Sequence, residues 1–353
     1  MKLFINGRFL TQRITGVQRV GVEIIKELDK INSSVEIFLL IPPKQITKIE
    51  LKNIKIMQIG KKPNNFWTQV VFPYYVKKHG GISLTLAGLC PLIRPDFYLV
   101  HDAAFKRYPE SFSKKFRYTY DLMNKLTLKR CKHLFTVSEF SKQELCKIYF
   151  LNERKITVVY NSSHHLINQK IEKTDLNKWN LKKNEYYLSV SSKNIHKNQI
   201  FINKCAKKYP NIRFVIVGAR VSKTFNKVKD LEMSNMIYTG YVSNDELYSL
   251  YKYAKGFIFP SLYEGFGIPP LEAIAMGVTH IALSDIPVFK EIYTKSVYFF
   301  KPLDVDSFDI NQMNQIEITD EDRKFYYEKF SWHTSAEKII QIIEEKYNIN
   351  LNN

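Results

Sequence analysis

The sequence has few cysteines and no long apolar run, and these two absences exclude several kinds of protein. Its four cysteines are Cys90, Cys131, Cys146 and Cys205. None has the short paired spacing of a structural zinc site or a redox pair. Nowhere do about 18 apolar residues follow one another without a charge. The first residues, MKLFINGRF, form a strand-like run without the pattern of a signal peptide. We therefore expect reduced thiols, no spanning helix and a cytoplasmic location.

Acidic residues are scarce in the first part of the chain. Residues 1–150 contain 26 Lys and Arg against 11 Asp and Glu, whereas the remainder contains 27 against 23. The formal net charge of +19 is therefore concentrated in one half. This asymmetry indicates an anionic partner for that half, which is a membrane surface, a nucleic acid or a phosphorylated substrate. The charge does not distinguish among the three.

Short β-branched runs alternate with amphipathic segments along the whole chain. The predicted strands are LFIN, VEIFLLI, IKIMQI, ISLTLA, FYLVH, HLFTVS and ITVVY, then YYLSV, RFVIVG, MIYTG, GFIFP and HIALS. This alternation predicts an α/β fold with parallel sheets covered on both faces. Because 353 residues exceed one ordinary domain, and because the polar segment 162–184 separates two such series, we expect two domains, 1–165 and 175–330.

The segment 257–277, FIFPSLYEGFGIPPLEAIAMG, predicts a buried strand, a loop and a helix. Pro269 and Pro270 suit the first helical turn, where an amide has no partner in any case. The preceding loop holds three candidate binding residues, Gly265, Phe266 and Gly267. Free backbone amides at a helix N-terminus stabilise a phosphate, and glycine lets a ligand approach closely.

Two carboxylates, Glu264 and Glu272, lie on either side of this predicted helix start. A carboxylate can accept two hydroxyls of a sugar ring, so one on each side of a phosphate pocket suits a sugar nucleotide. In the alternative interpretation, Glu264 caps the helix and Glu272 is a solvated residue favoured by the helix dipole.

Two further candidate sites follow strands of the first half. Gly16 and Arg19 lie between the first strand and the first helix, where the same dipole argument favours a diphosphate, although simple turn chemistry is an alternative. His101 and Asp102 follow the strand FYLV, at the edge where doubly wound sheets bind ligands. A hydrogen-bonded structural histidine is the alternative there.

The order and spacing of these segments resemble the retaining GT-B glycosyltransferases of family 4, the glycosyl transferases group 1, with their E-x7-E motif. Further matching segments are VVYNSSHH, LSVSSKNIHKNQIF, IYTGYVSNDEL and SDIPVFKEI. The resemblance implies GT-B architecture, in which two Rossmann-like, doubly wound parallel-sheet domains face each other across a cleft. It also implies that a C-terminal helix, 331–353, packs back on the first domain. In departure from the family, the first loop keeps a single glycine, and Ser162 and His164 replace a glycine and an aspartate.

The resemblance also implies roles for the candidate residues. Glu264 orients the transferred sugar, His101 contacts it, and Lys197 offsets charge on the diphosphate. These three are the candidate catalytic residues. The candidate substrate-binding residues are Gly16, Arg19, Asp102, Lys193, Tyr241, Val242, Gly265, Phe266, Gly267 and Glu272. Glu272 reads the ribose hydroxyls, and backbone groups near Tyr241 and Val242 meet the base.

The family's chemistry retains the anomeric configuration by front-side attack and uses no cofactor and no metal. The donor, a UDP- or GDP-linked sugar, is a substrate. The Asp-x-Asp sequence from Asp304 to Asp306 falls in a late loop outside the cleft elements, and we interpret it as accidental.

The predicted function is transfer of a hexose to a glycan acceptor, which we expect to be lipid-linked, in bacterial surface polysaccharide synthesis (O-antigen, capsule or lipopolysaccharide). The segment 106–132 mixes nine basic residues with aromatic ones and predicts contact with the anionic inner face of the cytoplasmic membrane. A merely solvated basic helix is the alternative. Rival functions are a nucleotide-sugar 2-epimerase of GT-B fold and, on charge only, a nucleic-acid-binding protein; no nucleic-acid-binding module is visible.

Overall fold

A computed structural model describes residues 1–166, 175–192, 194–218 and 233–347. The chain divides into two compact units. Unit 1 comprises Met1–Lys106, Ser113–Asn161 and the chain from Ser331 onward, and unit 2 comprises Arg107–Phe112 and Ser162–Phe330. This division differs from the expected limits in two places. The chain passes into unit 2 between Asn161 and Ser162, and the short segment Arg107–Phe112, expected in the first domain, belongs to unit 2.

Unit 1 contains a seven-stranded parallel sheet in the order β3-β2-β1-β4-β5-β6-β7. Its strands are β1 (Lys2–Asn6), β2 (Glu36–Ile41), β3 (Lys55–Gln58), β4 (Ile82–Thr85), β5 (Phe97–Leu99), β6 (His133–Thr136) and β7 (Ile156–Val158). The helices of the same part of the chain are α1 (Gly16–Leu28), α2 (Phe72–Lys78), α3 (Ala104–Arg107), α4 (Lys114–Thr127) and α5 (Glu139–Tyr149). The inner strands are buried on both faces, as expected where helices cover both sides.

Unit 2 contains a six-stranded parallel sheet in the order β10-β9-β8-β11-β12-β13. Its strands are β8 (Tyr186–Val190), β9 (Arg213–Val217), β10 (Met236–Gly240), β11 (Gly256–Phe259), β12 (His280–Ser284) and β13 (Tyr298–Phe300). Its helices are α6 (Gln199–Lys208), α7 (Asn244–Lys252), α8 (Ile268–Ala275), α9 (Pro287–Ile292), α10 (Ile310–Met313) and α11 (Asp320–Lys329). The prediction of two parallel-sheet α/β domains is confirmed. The short edge strand β13 was not predicted.

The C-terminal helix α12 (Trp332–Lys346) packs against α1 within unit 1. The buried carboxylate of Glu344 accepts hydrogen bonds from the hydroxyls of Ser33 and Ser34, both at 3.0 Å. The Ser335 hydroxyl donates to the carbonyl of Tyr160 at 2.6 Å. Polar contacts thus fix the register of a helix whose apolar stripe supplies most of the burial.

Each sheet has one place where the strand order reverses. In unit 1 it lies between β1 and β4, and in unit 2 between β8 and β11. Loops that leave the carboxyl ends of such neighbouring strands diverge, which opens a crevice where doubly wound sheets bind ligands. The loops after β8 and β11 carry Lys197 and Glu264. Among the described residues, we find no helix with the length and apolar character needed to cross a membrane.

Candidate active site

Lys197 and Glu264 meet at the strand-order reversal of unit 2. Lys197 ends a 3-10 turn, Ile195–Lys197, that follows β8, and Glu264 lies in the loop after β11. The Lys197 ammonium donates to Glu264 Oε1 at 2.6 Å, with side chains 23% and 11% exposed. Such a partly buried pair is less screened than a surface pair, so each charge fixes the position of the other. The sequence predicted both residues at the site but not their direct contact.

Helix α8 begins immediately after Gly267. This glycine has a φ of +92°, and a Cβ added to it would lie 2.7 Å from Cε1 of Phe289. The Tyr293 hydroxyl also donates to the Gly267 carbonyl. Glycine is therefore required here both by the backbone conformation and by the packing. Gly265 and Phe266 are buried, and the Phe266 ring meets Phe330 edge to face at 5.4 Å.

Glu272, on α8, is held by two protein side chains. Its Oε1 lies 3.1 Å from Nε2 of His165, and its Oε2 accepts a hydrogen bond from the Tyr251 hydroxyl at 3.1 Å. The Glu272 side chain is 12% exposed and that of His165 is 1% exposed. The interpretation of Glu272 as a solvated surface residue is therefore wrong. Neither His165 nor Tyr251 was a candidate, because no local sequence pattern links them to Glu272.

The segment Arg107–Phe112 supports the two loops that carry Lys197 and Glu264. The Tyr108 hydroxyl donates to the Leu262 carbonyl at 3.3 Å. Nδ1 of His196 lies 3.0 Å from the Ser111 hydroxyl, and its ring stacks on Phe112 at 5.7 Å. Burial first, and then the neighbouring Lys197 charge, lower the pKa of His196 to about 4, so the ring is neutral at pH 7. Sequence reasoning missed this support, because the segment is distant in the chain from both loops.

In unit 1, His101 lies just beyond β5 with Nε2 2.9 Å from the carbonyl oxygen of Leu86. The surrounding protein desolvates the ring and lowers its pKa to about 4, although the Leu86 hydrogen bond acts in the opposite direction. A neutral ring that bonds a carbonyl through Nε2 carries its proton there, so Nδ1 is the acceptor nitrogen. Next to it, Asp102 accepts a hydrogen bond from the Ala104 amide at 2.8 Å and so helps to start α3.

Gly16 is the exposed first residue of α1. A Cβ added there would meet no atom of the described residues within 4 Å. Thr15 and Gln18 form a capping box around this helix start. Arg19 lies 3.7 Å from Glu23 with its side chain 14% exposed, so its charge is engaged one turn along its own helix.

The remaining predicted residues occupy different settings. Tyr241, after β10, is 69% exposed, and Val242 is partly exposed. Lys193 lies outside the described residues. Asp304 accepts a hydrogen bond from the Asp306 amide at 3.0 Å and caps the 3-10 turn Val305–Ser307, which gives the Asp-x-Asp sequence a local structural role. Within the described ranges there is no group of three or more His, Cys, Asp or Glu residues arranged to hold a metal ion.

Comparison with known proteins adds a family match. Residues 171–324 match the model of the family described as glycosyl transferases group 1. The O-antigen chain mannosyltransferase RfbU of Salmonella typhimurium is 35% identical over 240 residues, which cover 67% of this chain and 65% of that protein. The serotype-specific mannosyltransferase WbdA of Escherichia coli is 38% identical over 121 residues, 31% of this chain and 14% of that protein. The chain thus matches less than two thirds of the length of either relative.

Solved structures resemble the chain over nearly its full length. Sucrose-phosphate synthase from Thermosynechococcus elongatus has a TM-score of 0.72 at 12% identity, with 99% of this chain and 100% of that chain covered. WaaG, a glycosyltransferase involved in lipopolysaccharide biosynthesis, has a TM-score of 0.63 at 14% identity, with 97% and 99% covered. These likenesses show that the chain has the GT-B architecture.

Proposed function

Because residues 171–324 place this chain in the family of glycosyl transferases group 1, we propose that the protein transfers a hexose from a nucleotide sugar to a glycan acceptor. The observation that carries the proposal is the contact of Lys197 with Glu264 beside the N-terminus of α8, at the strand-order reversal of unit 2. Since the two relatives named above are mannosyltransferases, we propose mannose as the hexose, on a GDP or UDP carrier. The name of the Salmonella typhimurium relative, an O-antigen chain mannosyltransferase, also supports O-antigen synthesis as the setting.

The proposed chemistry follows from where charge develops. When the bond between the anomeric carbon and the diphosphate oxygen breaks, negative charge grows on the leaving group. The Lys197 ammonium and the amides at the start of α8 are the groups that offset it. Glu264 keeps the ammonium in place before the donor binds and then orients the sugar hydroxyls. In unit 1, neutral His101 offers an acceptor nitrogen that suits a sugar hydroxyl.

We assign the reaction to the retaining class. Glu264 is bonded to Lys197, and Glu272 is bonded to His165 and Tyr251, so both carboxylates already have structural partners. In the proposed front-side attack, the acceptor oxygen bonds to the anomeric carbon while the carbon–phosphate-oxygen bond breaks. The acceptor's proton passes to the departing phosphate. A metal ion has no role in this scheme, and full turnover in excess EDTA is the expected result.

A transfer assay with a panel of GDP- and UDP-sugars tests the activity. We expect one donor to raise the unfolding temperature and to support transfer. Lys197→Met should lower kcat by about 100-fold, because a donor aimed at developing charge is lost. Glu264→Gln should lower kcat by a similar factor, because the carboxylate that holds the Lys197 ammonium and orients the sugar hydroxyls is lost. The matched control is Lys178→Met, which breaks an exposed ion pair with Glu246 in the same unit and should leave kcat unchanged. If no nucleotide sugar binds, the proposal is wrong.

The anomeric configuration of the product tests the class of mechanism. The one-bond carbon–hydrogen coupling at the anomeric position distinguishes the two anomers by NMR. We expect the product to have the configuration of the donor. An inverted product would contradict front-side attack and would require a general base that deprotonates the acceptor.

We further propose that α4 lies on an anionic membrane surface and brings the protein to a lipid-linked acceptor at the cytoplasmic face. Tyr118, Leu122 and Leu126 are 68%, 58% and 38% exposed and follow one another at four-residue steps. Lys115, Lys125 and Lys129 are exposed on the same helix or just beyond its end. Exposed apolar side chains flanked by lysines suit the interface of an anionic bilayer. Phe116 and Tyr120, by contrast, stack on each other at 4.0 Å and so serve packing.

Liposome co-sedimentation tests this second part. Binding to vesicles with anionic lipid should exceed binding to neutral vesicles and should fall as salt rises. The double variant Tyr118→Ser/Leu122→Ser should bind about 5-fold less, because burial of two apolar side chains is lost. Phe150→Ser, which removes a side chain 87% exposed elsewhere on unit 1, is the control and should bind normally. Equal binding to both kinds of vesicle would refute the membrane proposal.

A further inference from the structure

We propose that His165 and Tyr251 are positioning residues that hold the Glu272 carboxylate in the orientation that reads the donor's ribose hydroxyls. This inference rests on the proposed function, in which Glu272 accepts hydrogen bonds from the ribose. Each carboxylate oxygen has its own protein partner, with His165 Nε2 at 3.1 Å from Oε1 and the Tyr251 hydroxyl at 3.1 Å from Oε2. Two contacts on different oxygens fix the rotation of a carboxylate, which one contact does not.

The two partners are rigid. Tyr251 is fully buried on α7, and its ring packs on Phe257 of β11 with centroids 5.6 Å apart. His165 lies in the 3-10 turn His164–Leu166, and its side chain is 1% exposed. Just before this turn, the Ser162 hydroxyl donates to the Phe330 carbonyl at 2.8 Å. Groups locked by packing hold a binding residue more accurately than mobile ones do. The Glu272 carboxylate is therefore oriented before a ligand arrives.

A protein hydrogen bond to Glu272 is compatible with a ligand on the same carboxylate. Each carboxylate oxygen has about two acceptor sites, so a hydrogen bond from the protein does not by itself exclude a ligand hydroxyl. The Glu272 side chain is 12% exposed, which keeps part of it accessible. Burial, and then the Glu272 charge, raises the pKa of Tyr251 well above its ordinary value, so this hydroxyl stays protonated and acts as a donor to Glu272.

A positioning role and a purely structural role make different predictions. If His165 and Tyr251 only stabilise the fold, removing them weakens the binding of every nucleotide equally. If they orient Glu272 toward the ribose, removing them lowers the preference for a ligand that carries the ribose hydroxyls over one that lacks them. The discriminating measurement is therefore a ratio of affinities, in which general losses of stability cancel.

The experiment compares GDP and UDP with their 2′-deoxy and 3′-deoxy forms by titration calorimetry. The wild-type protein should prefer at least one ribonucleotide over a deoxy form by about 10-fold or more, as expected for a hydrogen bond to a charged group. His165→Leu and Tyr251→Phe should reduce this preference to about 3-fold or less. His165→Gln, which keeps a donor at a similar reach, should retain most of it.

Two controls separate the outcomes. Tyr186→Phe removes a buried hydroxyl that donates to the carbonyl of Leu250, the residue before Tyr251, at 2.7 Å. His164→Gln changes the residue before His165. The His164 Nε2 lies 2.8 Å from the Tyr327 carbonyl. Both should keep the full preference. An unchanged preference in His165→Leu and Tyr251→Phe overturns the inference while the donor site stands. Failure of the wild-type protein to bind any of these nucleotides instead overturns the proposed function itself.

Discussion

The helix start at Gly16 in unit 1 and the helix start at Gly267 in unit 2 differ, although the sequence predicted the same phosphate-binding role for both. Gly267 has a positive φ, is buried and packs against Phe289. Gly16 is exposed, and no described atom lies within 4 Å of the place where its Cβ would be. One glycine is therefore required by the fold of its own unit, and the other is not.

This difference separates two reasons for which a glycine precedes a helix. A glycine that the backbone and packing require gives no information about a ligand, because the protein would need it in any case. A glycine with open space and an ordinary helical conformation costs stability relative to alanine. Gly16 is thus the better indicator of a bound group, even though its sequence signal is weaker than the motif around Gly267.

Gly267→Ala should have the largest effect of the substitutions that test this comparison. The positive φ and the contact with Phe289 together should destabilise unit 2 by about 3 kcal/mol, measured by urea unfolding. Gly277→Ala is the matched control, because Gly277 has a φ of +93° but no described atom near its Cβ position. It should cost about 1 kcal/mol. Equal losses in the two variants would show that packing against Phe289 is unimportant.

Gly16→Ala should leave the fold intact and weaken the binding of the donor nucleotide. The free energy of unfolding should stay the same or rise by up to about 1 kcal/mol. The affinity for the donor nucleotide should fall by about 10-fold if the diphosphate approaches this backbone, since a methyl group then stands in its way.

Gly21→Ala, in the same helix, is a control in which the fold and not the binding should change. Its Cβ would lie 2.9 Å from the Phe9 ring, so it should lose stability with the affinity unchanged. Unchanged affinity in Gly16→Ala would show that the donor nucleotide does not approach the Gly16 backbone.

The smallest expected effect concerns pH, where each unit contains a histidine whose pKa is lowered by burial. Burial lowers the pKa of His101 in unit 1 and of His196 in unit 2 from 6.5 to about 4. The unfolded chain therefore binds protons that the native chain does not between pH 6.5 and 4. The contribution of these neutral rings to the free energy of unfolding is fully present above about pH 6.5 and is lost as the pH falls toward 4. We expect the unfolding temperature to fall by a few degrees over this range, with neither ring titrating above pH 5.5 by NMR. Titration of His101 near pH 6.5 would contradict the assigned burial.

Local pattern was sufficient for much of the fold. The buried runs at β8 and β11 are β-branched and aromatic, and their order along the chain allowed a parallel sheet to be predicted. The same patterns put Lys197 and Glu264 in the loops after two predicted strands, and the resemblance to the family made Lys197 a candidate. Their places in the fold were thus predictable from the sequence, and their roles stay predictions.

Residues that act through distant partners were not found. His165 and Tyr251 contact Glu272 across 107 and 21 positions of the chain, and Ser111 contacts His196 across 85. No periodicity connects positions so far apart. Arg19 was predicted to bind substrate, and its contact with Glu23 on its own helix was not predicted; its binding role stays a prediction.

The sequence by itself determined that two parallel sheets form and which loops leave their carboxyl edges, because hydrophobic period and turn chemistry are local properties. Only the tertiary structure decided which side chains hold Glu272, that Arg107–Phe112 belongs to unit 2, and that Gly267 is demanded by packing while Gly16 is open. The physical reason is that orientation, burial and pairing depend on atoms brought together by chain folding, which local pattern does not encode.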